Sequence, residues 1–264
     1  LVGQWIHHHR DNTIAIVSYY WNDGKGAITF FPIEEGKHWK VNASNSLVGT
    51  KSSDINSISM SSPIQGKTVI VISSWNENRG AVVIHSNEKP LSGVISASNA
   101  FVGKYPGDKL GARGFQVVGQ KVIVMSTSYH ENRGSVSILD LHAAVGEINP
   151  SNSLIGERPN DQVGTFFCLL KNQTQVAIGS SYWNEGRGAA TLIELDNPTA
   201  GYITADNSLI GANPSDRVSA SGLFALENGN YVVASSQYNQ RRGAATHIQS
   251  NKPITGIITP QNSL

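Results

Sequence analysis

Short apolar runs separated by polar turns recur along the whole chain. In the clearest copy, strand-length runs cover residues 163–170, 175–183, 188–195 and 202–210. They are rich in β-branched and aromatic residues, and Gly, Pro, Asn or Asp marks the turns between them. No segment keeps a sustained 3.6-residue apolar period, which predicts very low helix content. Each copy is therefore predicted to be a meander of four antiparallel strands.

One polar segment between the second and third predicted strands occurs five times. It starts with an aromatic residue, continues with an amide or imidazole, and ends at a glycine; we call it the aromatic turn (residues 21–26, 75–80, 129–134, 183–188 and 238–243). The closing glycines are Gly26, Gly80, Gly134, Gly188 and Gly243, so the steps are 54, 54, 54 and 55 residues. A fixed period of this size is typical of repeat architectures. The sequence predicts five copies of one unit.

This period favours an all-β fold, a five-bladed β-propeller with four antiparallel strands per blade and about 54 residues per repeat. Helical repeats, strand solenoids and β-sandwiches fit the spacing less well. The 264 residues predict a single propeller with blades at approximately 1–48, 49–102, 103–155, 156–210 and 211–264. The chain starts without Met, so we expect a processed or excised segment, with the terminal blades meeting non-covalently.

Composition narrows the range of partners. The formal net charge is +1 and charged residues make up only 15%, so no broad electrostatic footprint for nucleic acid or an anionic membrane is present. The apolar runs are strand-length and too short for membrane insertion. Cys168, the single cysteine, lies in an apolar run and is predicted to be a small buried hydrophobe instead of a nucleophile.

Strand directions place two recurrent polar segments on one face of the predicted ring. In a four-stranded meander, the loop between strands two and three lies on the same side as the loop that joins one blade to the next. The joining loops carry Asp54, Asp108, Asp161 and Asp216. Each Asp is predicted to cap a turn by accepting hydrogen bonds from nearby backbone N–H groups. We expect ligands on this face.

The aromatic turns supply the candidate ligand-binding residues. A flat ring beside amides, carboxylates and guanidinium groups suits a sugar, which stacks its C–H face and hydrogen-bonds through its hydroxyls. The alternative is structural: the ring wedges between blades, Asn supports the turn, and acid and Arg form weak surface ion pairs. The candidates are Trp21, Asn22, Trp75, Asn76, Glu77, Arg79, Tyr129, His130, Glu131, Arg133, Trp183, Asn184, Glu185, Arg187, Tyr238, Asn239 and Arg242.

Catalytic and metal-binding motifs are missing from the sequence. It has no G-x-S-x-G, H-E-x-x-H or phosphate-binding glycine loop, and no calcium loop of alternating ligands that ends in Glu. Glycoside hydrolysis needs two carboxylates in different environments, whereas the prominent acids here recur at equivalent positions. We predict that the chain is not an enzyme and uses no metal and no cofactor; a glycosidase is the least favoured alternative.

Several segments resemble known propeller repeats. Residues 208–211, 216–218, 231–236 and 242–246 resemble the integrin-type FG-GAP repeat. Residues 226–233 resemble more closely the "NSLVG…WN…GAVT" repeats of large secreted bacterial proteins of the filamentous-haemagglutinin-like type. The resemblance covers all five units and implies a propeller in a secreted or cell-surface setting. The chain lacks the Asp-rich calcium-binding hairpins of integrin-type blades, so the resemblance does not carry calcium over.

These observations lead to two expectations about function. The first is a non-catalytic, multivalent binding module for glycans or a protein surface, lectin-like or adhesive, because equivalent sites convert weak affinity into avidity. The second is a structural or assembly propeller, in which the aromatic turn only locks blades together. We expect no nucleic acid partner and no membrane insertion, and the ligand and oligomeric state stay open.

Overall fold

The computed structural model describes residues 2–10, 12–34, 39–142 and 145–264. Strands dominate the first three repeats, with one four-residue helical turn in each. The first repeat contains β1 (Trp5–Arg10), β2 (Thr13–Ser18), α1 (Trp21–Gly24), β3 (Ala27–Pro32) and β4 (Leu47–Val48). The second contains β5 (Ile58–Met60), β6 (Lys67–Ile72), α2 (Trp75–Asn78), β7 (Ala81–Ser86), β8 (Gly93–Val94) and β9 (Phe101–Val102). The third contains β10 (Gly114–Val118), β11 (Lys121–Ser126), α3 (Tyr129–Asn132), β12 (Ser135–Asp140), β13 (Gly146–Glu147) and β14 (Ser153–Ile155).

The last two repeats follow the same order. The fourth contains β15 (Phe166–Leu169), β16 (Gln175–Ser180), α4 (Trp183–Gly186), β17 (Ala189–Glu194), β18 (Gly201–Tyr202) and β19 (Ser208–Ile210). The fifth contains β20 (Gly222–Ala225), β21 (Tyr231–Ala234), α5 (Tyr238–Arg241), β22 (Ala245–Ile248) and β23 (Gly256–Ile257). The prediction of an all-β chain with five propeller-like repeats and very little helix is confirmed.

The sheets do not have the four strands that the sequence predicts. Four of them have five strands, in the orders β1-β2-β3-β4-β8, β13-β9-β7-β6-β5, β10-β11-β12-β14-β18 and β15-β16-β17-β19-β23. The fifth sheet has three strands, β20-β21-β22, within the residues described. In each five-stranded sheet, four strands come from one repeat. The fifth, at one end of the order, is a two-residue strand from the next repeat that pairs in parallel, as β18 does with β14.

The extra strand arises because the predicted run 202–210 is broken. β18 pairs with the preceding repeat, whereas β19 pairs antiparallel with β17 of its own repeat. Asn207 makes the bend between them: its Oδ1 accepts the Thr204 N–H at 2.9 Å and its Nδ2 donates to the Tyr202 carbonyl at 2.9 Å. Hydrogen bonds of this kind, from a side chain to nearby backbone, compete with continuous strand pairing.

The chain forms two compact units, one from the described residues within 1–122 and 139–148 and one from those within 123–138 and 149–264. The first has a core that includes Ile28, Ile55 and Ile72. The second has a core that includes Leu209 and Tyr231. In each case the apolar face of a strand packs inward because burial removes it from water. No helix among the described residues has the length and apolar character to cross a membrane.

Candidate functional site at the repeat junctions

The aromatic turn is a tight left-handed reversal between two strands. In α4, Asn184 has φ 48° and ψ 68°, and Glu185 has φ 62° and ψ 31°. Most side chains strain this conformation, but Asn tolerates it better than most. Asn therefore suits the second position of the turn, which His130 occupies in the third repeat with φ 40°. The Gly188 N–H closes the turn by donating to the Trp183 carbonyl at 3.0 Å.

Three of the five aromatic side chains are buried. Trp75 and Trp183 are 7% exposed and Tyr129 is 4% exposed. Trp21 and Tyr238 are half-buried. A ring without an open face cannot stack on a sugar, so at these three positions the structure matches the structural alternative raised by the sequence. The rings fill space between strands, as Trp75 does within the core of the first unit.

The recurrent Asp of each joining loop is a capping residue, as predicted. Asp161 Oδ2 accepts the Arg158 N–H of its own loop at 2.9 Å, and Oδ1 accepts the Asn184 N–H of the next aromatic turn at 2.8 Å. Asp54 bonds in the same way to Lys51 and Asn76, at 2.8 and 2.9 Å. One carboxylate thus joins a loop to the following repeat.

Asp216 and Asp108 occupy the equivalent position in two further loops. Asp216 Oδ2 accepts the Asn213 N–H at 2.8 Å, and Oδ1 accepts the Asn239 N–H of the fifth aromatic turn at 3.1 Å. Asp108 Oδ2 accepts the Tyr105 N–H at 2.7 Å. All four carboxylates are almost fully buried. Their repetition is explained by backbone capping alone.

The arginines of the middle three turns also bind backbone. The Nη1 groups of Arg79, Arg133 and Arg187 donate to the carbonyl oxygens of Lys104, Glu157 and Ala212. Each guanidinium therefore holds the joining loop that follows its own repeat. This use explains why the sequence keeps Arg there, and it differs from the predicted contact with a ligand. Arg242 of the last turn is exposed.

The acids of the turns lie at the surface and form ion pairs. Glu77 is 2.6 Å from Lys51, and Glu185 is 2.9 Å from Arg158. The hydrogen bond and the charge of Lys51 hold the pKa of Glu77 below its usual range. Glu131 pairs with Arg133 at 3.3 Å. Such exposed pairs contribute little to stability because solvent screens their charges.

The amide and imidazole side chains of the turns lie closer to solvent than the rings beside them. Asn22 and Asn239 are exposed, and Asn76, His130 and Asn184 are half-buried. Their backbone positions are fixed by the left-handed turn. The structure therefore divides the predicted residues into two groups. Three rings are buried and three arginines bind backbone, while the amides and acids lie closer to solvent.

The closing glycine of the turn is required by a close backbone crossing. A Cβ at Gly188, where φ is 75°, would lie 2.3 Å from the Val218 nitrogen in the next joining loop. On the other side of this crossing, a Cβ at Gly211 would lie 2.2 Å from the Arg187 carbonyl oxygen. No side chain fits at such distances. Gly26, Gly80 and Gly134 face the next joining loop in the same way, whereas a Cβ at Gly243 would lie 3.8 Å from its nearest neighbour. Four of the five closing glycines therefore mark a close crossing as well as a hairpin turn.

Two clefts lie at successive junctions of the second unit. The first, about 270 Å³, lies between loop 158–161 and turn 182–186 and is also lined by Ser215 and Arg217. The second, about 550 Å³, lies between loop 213–217 and residues 237–241 of the next turn. In both clefts a joining loop faces the following aromatic turn. The two recurrent polar segments of the sequence thus line both clefts of this unit.

Several residues that line the clefts were missed by sequence reasoning. Tyr182 is 38% exposed and carries the Arg217 guanidinium over its ring, at 4.4 Å from the centroid. Arg158 reaches the first cleft and Gln237 the second. For Arg158 the sequence did contain a signal: a basic residue stands three positions before the recurrent Asp in two joining loops, as Lys51 before Asp54 and Arg158 before Asp161.

Cys168 is half-buried, and burial raises the pKa of its thiol. A raised pKa leaves less thiolate, which agrees with a packing role. Among the described residues, no group of three or more His, Cys, Asp or Glu side chains is arranged to hold a metal ion.

Comparisons with known proteins identify the repeat. Five segments match the family described as "Repeat of unknown function (DUF5650)", namely residues 12–57, 64–112, 126–165, 170–220 and 225–264. These segments cover most of the chain, which therefore belongs to this family. The match confirms the five predicted repeats. No curated protein matches the chain.

Three solved structures match parts of this chain at low sequence identity. Oligopeptidase B from Trypanosoma brucei matches at 15% identity and TM-score 0.45, over 99% of this chain and 31% of that one. The tricorn protease matches at 11% identity and TM-score 0.40, over 90% of this chain and 20% of that one. A eukaryotic initiation factor matches at 13% identity and TM-score 0.34, over 95% and 64%. The chain spans about a third or less of the two proteases and just under two thirds of the initiation factor.

These matches correct one prediction. The sequence was expected to encode a protein that is not an enzyme, yet two of the matched structures are peptidases. That expectation is contradicted and is not kept. At these identities and TM-scores, the matches assign no peptidase activity to this chain either.

Proposed function

We propose that this chain is a multivalent binding module for polar, hydroxyl-rich ligands such as glycans. The observation that carries the proposal is the pair of clefts at equivalent repeat junctions. Both are lined mainly by amide, guanidinium and hydroxyl-bearing side chains, which suit hydroxyl groups. Equivalent sites on successive repeats would bind a repeating polymer with avidity.

The sugar contacts in this proposal differ from those suggested by the aromatic turn alone. Trp183 is buried, so the exposed Tyr182 beside it provides the ring for the first cleft. In the second cleft, Asn213, Gln237 and Asn239 supply amide donors and acceptors. The buried rings, the Asp caps and the three backbone-bound arginines of the middle turns (Arg79, Arg133 and Arg187) hold these groups in place without touching the ligand.

A closed five-bladed ring in a secreted or cell-surface protein is part of the same proposal. Five repeats, each with an antiparallel sheet, support the ring. The resemblance to FG-GAP repeats and to filamentous-haemagglutinin-like repeats supports an extracellular setting. An adhesive protein of this kind would use the ring to present its clefts to a glycan or to a glycan-bearing surface.

A structural or assembly role is the second candidate. It is favoured by a specific observation, the burial of Trp75, Tyr129 and Trp183. In that case the aromatic turn serves only to lock repeats together, and the clefts are by-products of the loop crossing. The two candidates differ in whether the accessible cleft residues have any effect on binding.

A glycan array separates the two candidates. The wild-type protein is compared with a double variant, Asn213→Ala plus Gln237→Ala, and with the exposed control Asp206→Ala. The binding proposal predicts array signals that the double variant loses and the control keeps, with melting temperatures unchanged in all three. An array without signal for the wild type, repeated at high protein density, would leave the structural candidate.

A further inference from the structure

The junction between the fourth and fifth repeats departs from the charge pattern of two others. At the first junction Lys51 pairs with Glu77, and at the third Arg158 pairs with Glu185. The equivalent positions at the fourth junction are Asn213 and Gln240. Both members of the ion pair are therefore replaced by amides there. The fourth junction therefore has no equivalent of the carboxylate that Glu77 and Glu185 supply at the other two.

Two arginines remain in the cleft at this junction. Arg217 comes from the joining loop, and Arg241 comes from the aromatic turn, at the position that Asn78, Asn132 and Gly186 occupy in the middle repeats. Within the described part of the chain, neither arginine forms an ion pair. Arg217 lies over the ring of Tyr182. This leaves two guanidinium groups lining one cleft.

The only acid in the lining of this cleft is already engaged. Asp216 is 3% exposed, and its two oxygens accept the Asn213 and Asn239 N–H groups. It cannot turn toward the arginines without breaking the turn. The lining therefore combines two arginines and one buried carboxylate, which gives an excess of positive charge. The cleft volume of about 550 Å³ lies in the range of small-ligand sites.

We infer that the cleft formed by residues 213–217 and 237–241 binds a carboxylate or sulfate group, as carried by an acidic saccharide. Guanidinium groups recognise such anions through paired N–H donors. The inference rests on the proposed glycan-binding function and adds the charge of the ligand. The preference should be stronger here than in the other cleft, which Arg217 also lines, because Glu185 offsets Arg158 there and no exposed acid of the described lining offsets Arg241 here.

Isothermal titration calorimetry tests the inference with matched probes. Trigalacturonic acid is titrated beside its fully methyl-esterified form, which has the same sugar backbone without the charges, and beside sodium sulfate alone. We expect the acid to bind roughly tenfold more tightly than the ester, since each exposed charge pair contributes a factor of about two to five. The difference should shrink as ionic strength rises.

Three variants locate the effect. Gln240→Glu restores the carboxylate of the other turns at the same backbone conformation, since φ is 61° at Gln240 and 62° at Glu185. It should weaken binding of trigalacturonic acid roughly fivefold and leave binding of the methyl ester unchanged. Arg241→Asn places the residue of the second and third turns there and should act similarly. Lys252→Gln, an exposed residue of the fifth repeat outside both clefts, removes one charge and should change affinity less than about twofold.

The outcomes separate this inference from the proposed function. If acid and ester bind equally and Gln240→Glu has no effect, the charge preference is overturned while glycan binding stands. If sulfate binds and responds to both variants but neither sugar binds, the anion site stands and the glycan function falls. If none of the three probes binds, both are overturned.

Discussion

Removing the Asp161 carboxylate should destabilise the second unit substantially. In Asp161→Ala, the N–H groups of Arg158 and Asn184 lose their acceptors, which lie at 2.9 and 2.8 Å in the wild type. The site is only 2% exposed, so water does not replace the carboxylate fully. A hydrogen bond to a charged acceptor contributes about 1.5–3 kcal/mol. Two such bonds, less the relief from burying a charge, give an expected loss of about 2–4 kcal/mol.

The assay is urea denaturation at neutral pH, followed by tryptophan fluorescence. Asp206→Ala serves as the matched control because this Asp is exposed and lies in the same unit. Its free energy of unfolding should stay within about 0.5 kcal/mol of the wild type. If Asp161→Ala also stays within that margin, the carboxylate does not tie the loop to the turn as described.

The pH dependence gives a second measurement on the same residue. Burial raises the pKa of Asp161 above its usual range, against the lowering effect of its backbone hydrogen bonds. The folded state therefore holds this proton more tightly than the unfolded state. Its contribution to stability is full below the ordinary pKa, near about pH 4, and is lost as pH rises through the raised value. The free energy of unfolding of the wild type, minus that of Asp161→Asn, should therefore fall as pH rises across that window. A difference that stays constant with pH would show that the pKa of Asp161 is not raised by folding.

Three further predictions test other parts of the junction. Trp183→Ala should lose about 3–5 kcal/mol of unfolding free energy because the ring is buried, whereas Tyr182→Ala, at the exposed neighbour, should lose under about 1 kcal/mol. Equal losses in urea denaturation would contradict the burial argument. Gly188→Ala should lower the melting temperature far more than Gly201→Ala, since both have positive φ but only Gly188 faces backbone at 2.3 Å. Cys168 should react with iodoacetamide at pH 8 more slowly than free cysteine, because burial raises its pKa; a rate equal to that of free cysteine would show an open thiol.

The sequence was sufficient for the five repeats and for the succession of strands and turns within each repeat. The glycine period counts the units, and the alternation of apolar runs and turns gives the meander. The capping role of the recurrent Asp also followed, because Asp in a loop before a strand has few better uses. Each of these is a local property, readable from neighbouring residues.

The fifth strand of each sheet could not be predicted in the same way. β18 has only two residues, and its partner β14 belongs to the previous repeat, about 47 residues earlier. Asp206 and Asn207, which are depleted in strands, mark the break between β18 and β19, but they do not indicate which strand β18 pairs with. Pairing between repeats depends on how the folded repeats lie side by side, so the sequence of a single repeat does not predict it.

The sequence also could not predict which side chains of the aromatic turn are buried and which are accessible. Trp183 and Tyr182 are adjacent aromatic residues, and only the fold decides which one is buried. Likewise the sequence predicts a ligand contact for Arg187, whereas in the structure its guanidinium donates to the Ala212 carbonyl. The cleft-lining Arg217 was overlooked because it does not recur: Ile55, Lys109 and Gln162 follow the other three Asp residues.

The central claim, that the repeat junctions bind a polar ligand, is tested most directly by mapping where a ligand binds. Backbone amide signals of the labelled protein would be followed by NMR during titration with trigalacturonic acid. The account predicts shifts concentrated in residues 213–217 and 237–241, with smaller shifts in residues 158–161 and 182–186. Shifts confined to another surface, or none at saturating concentrations, would contradict it.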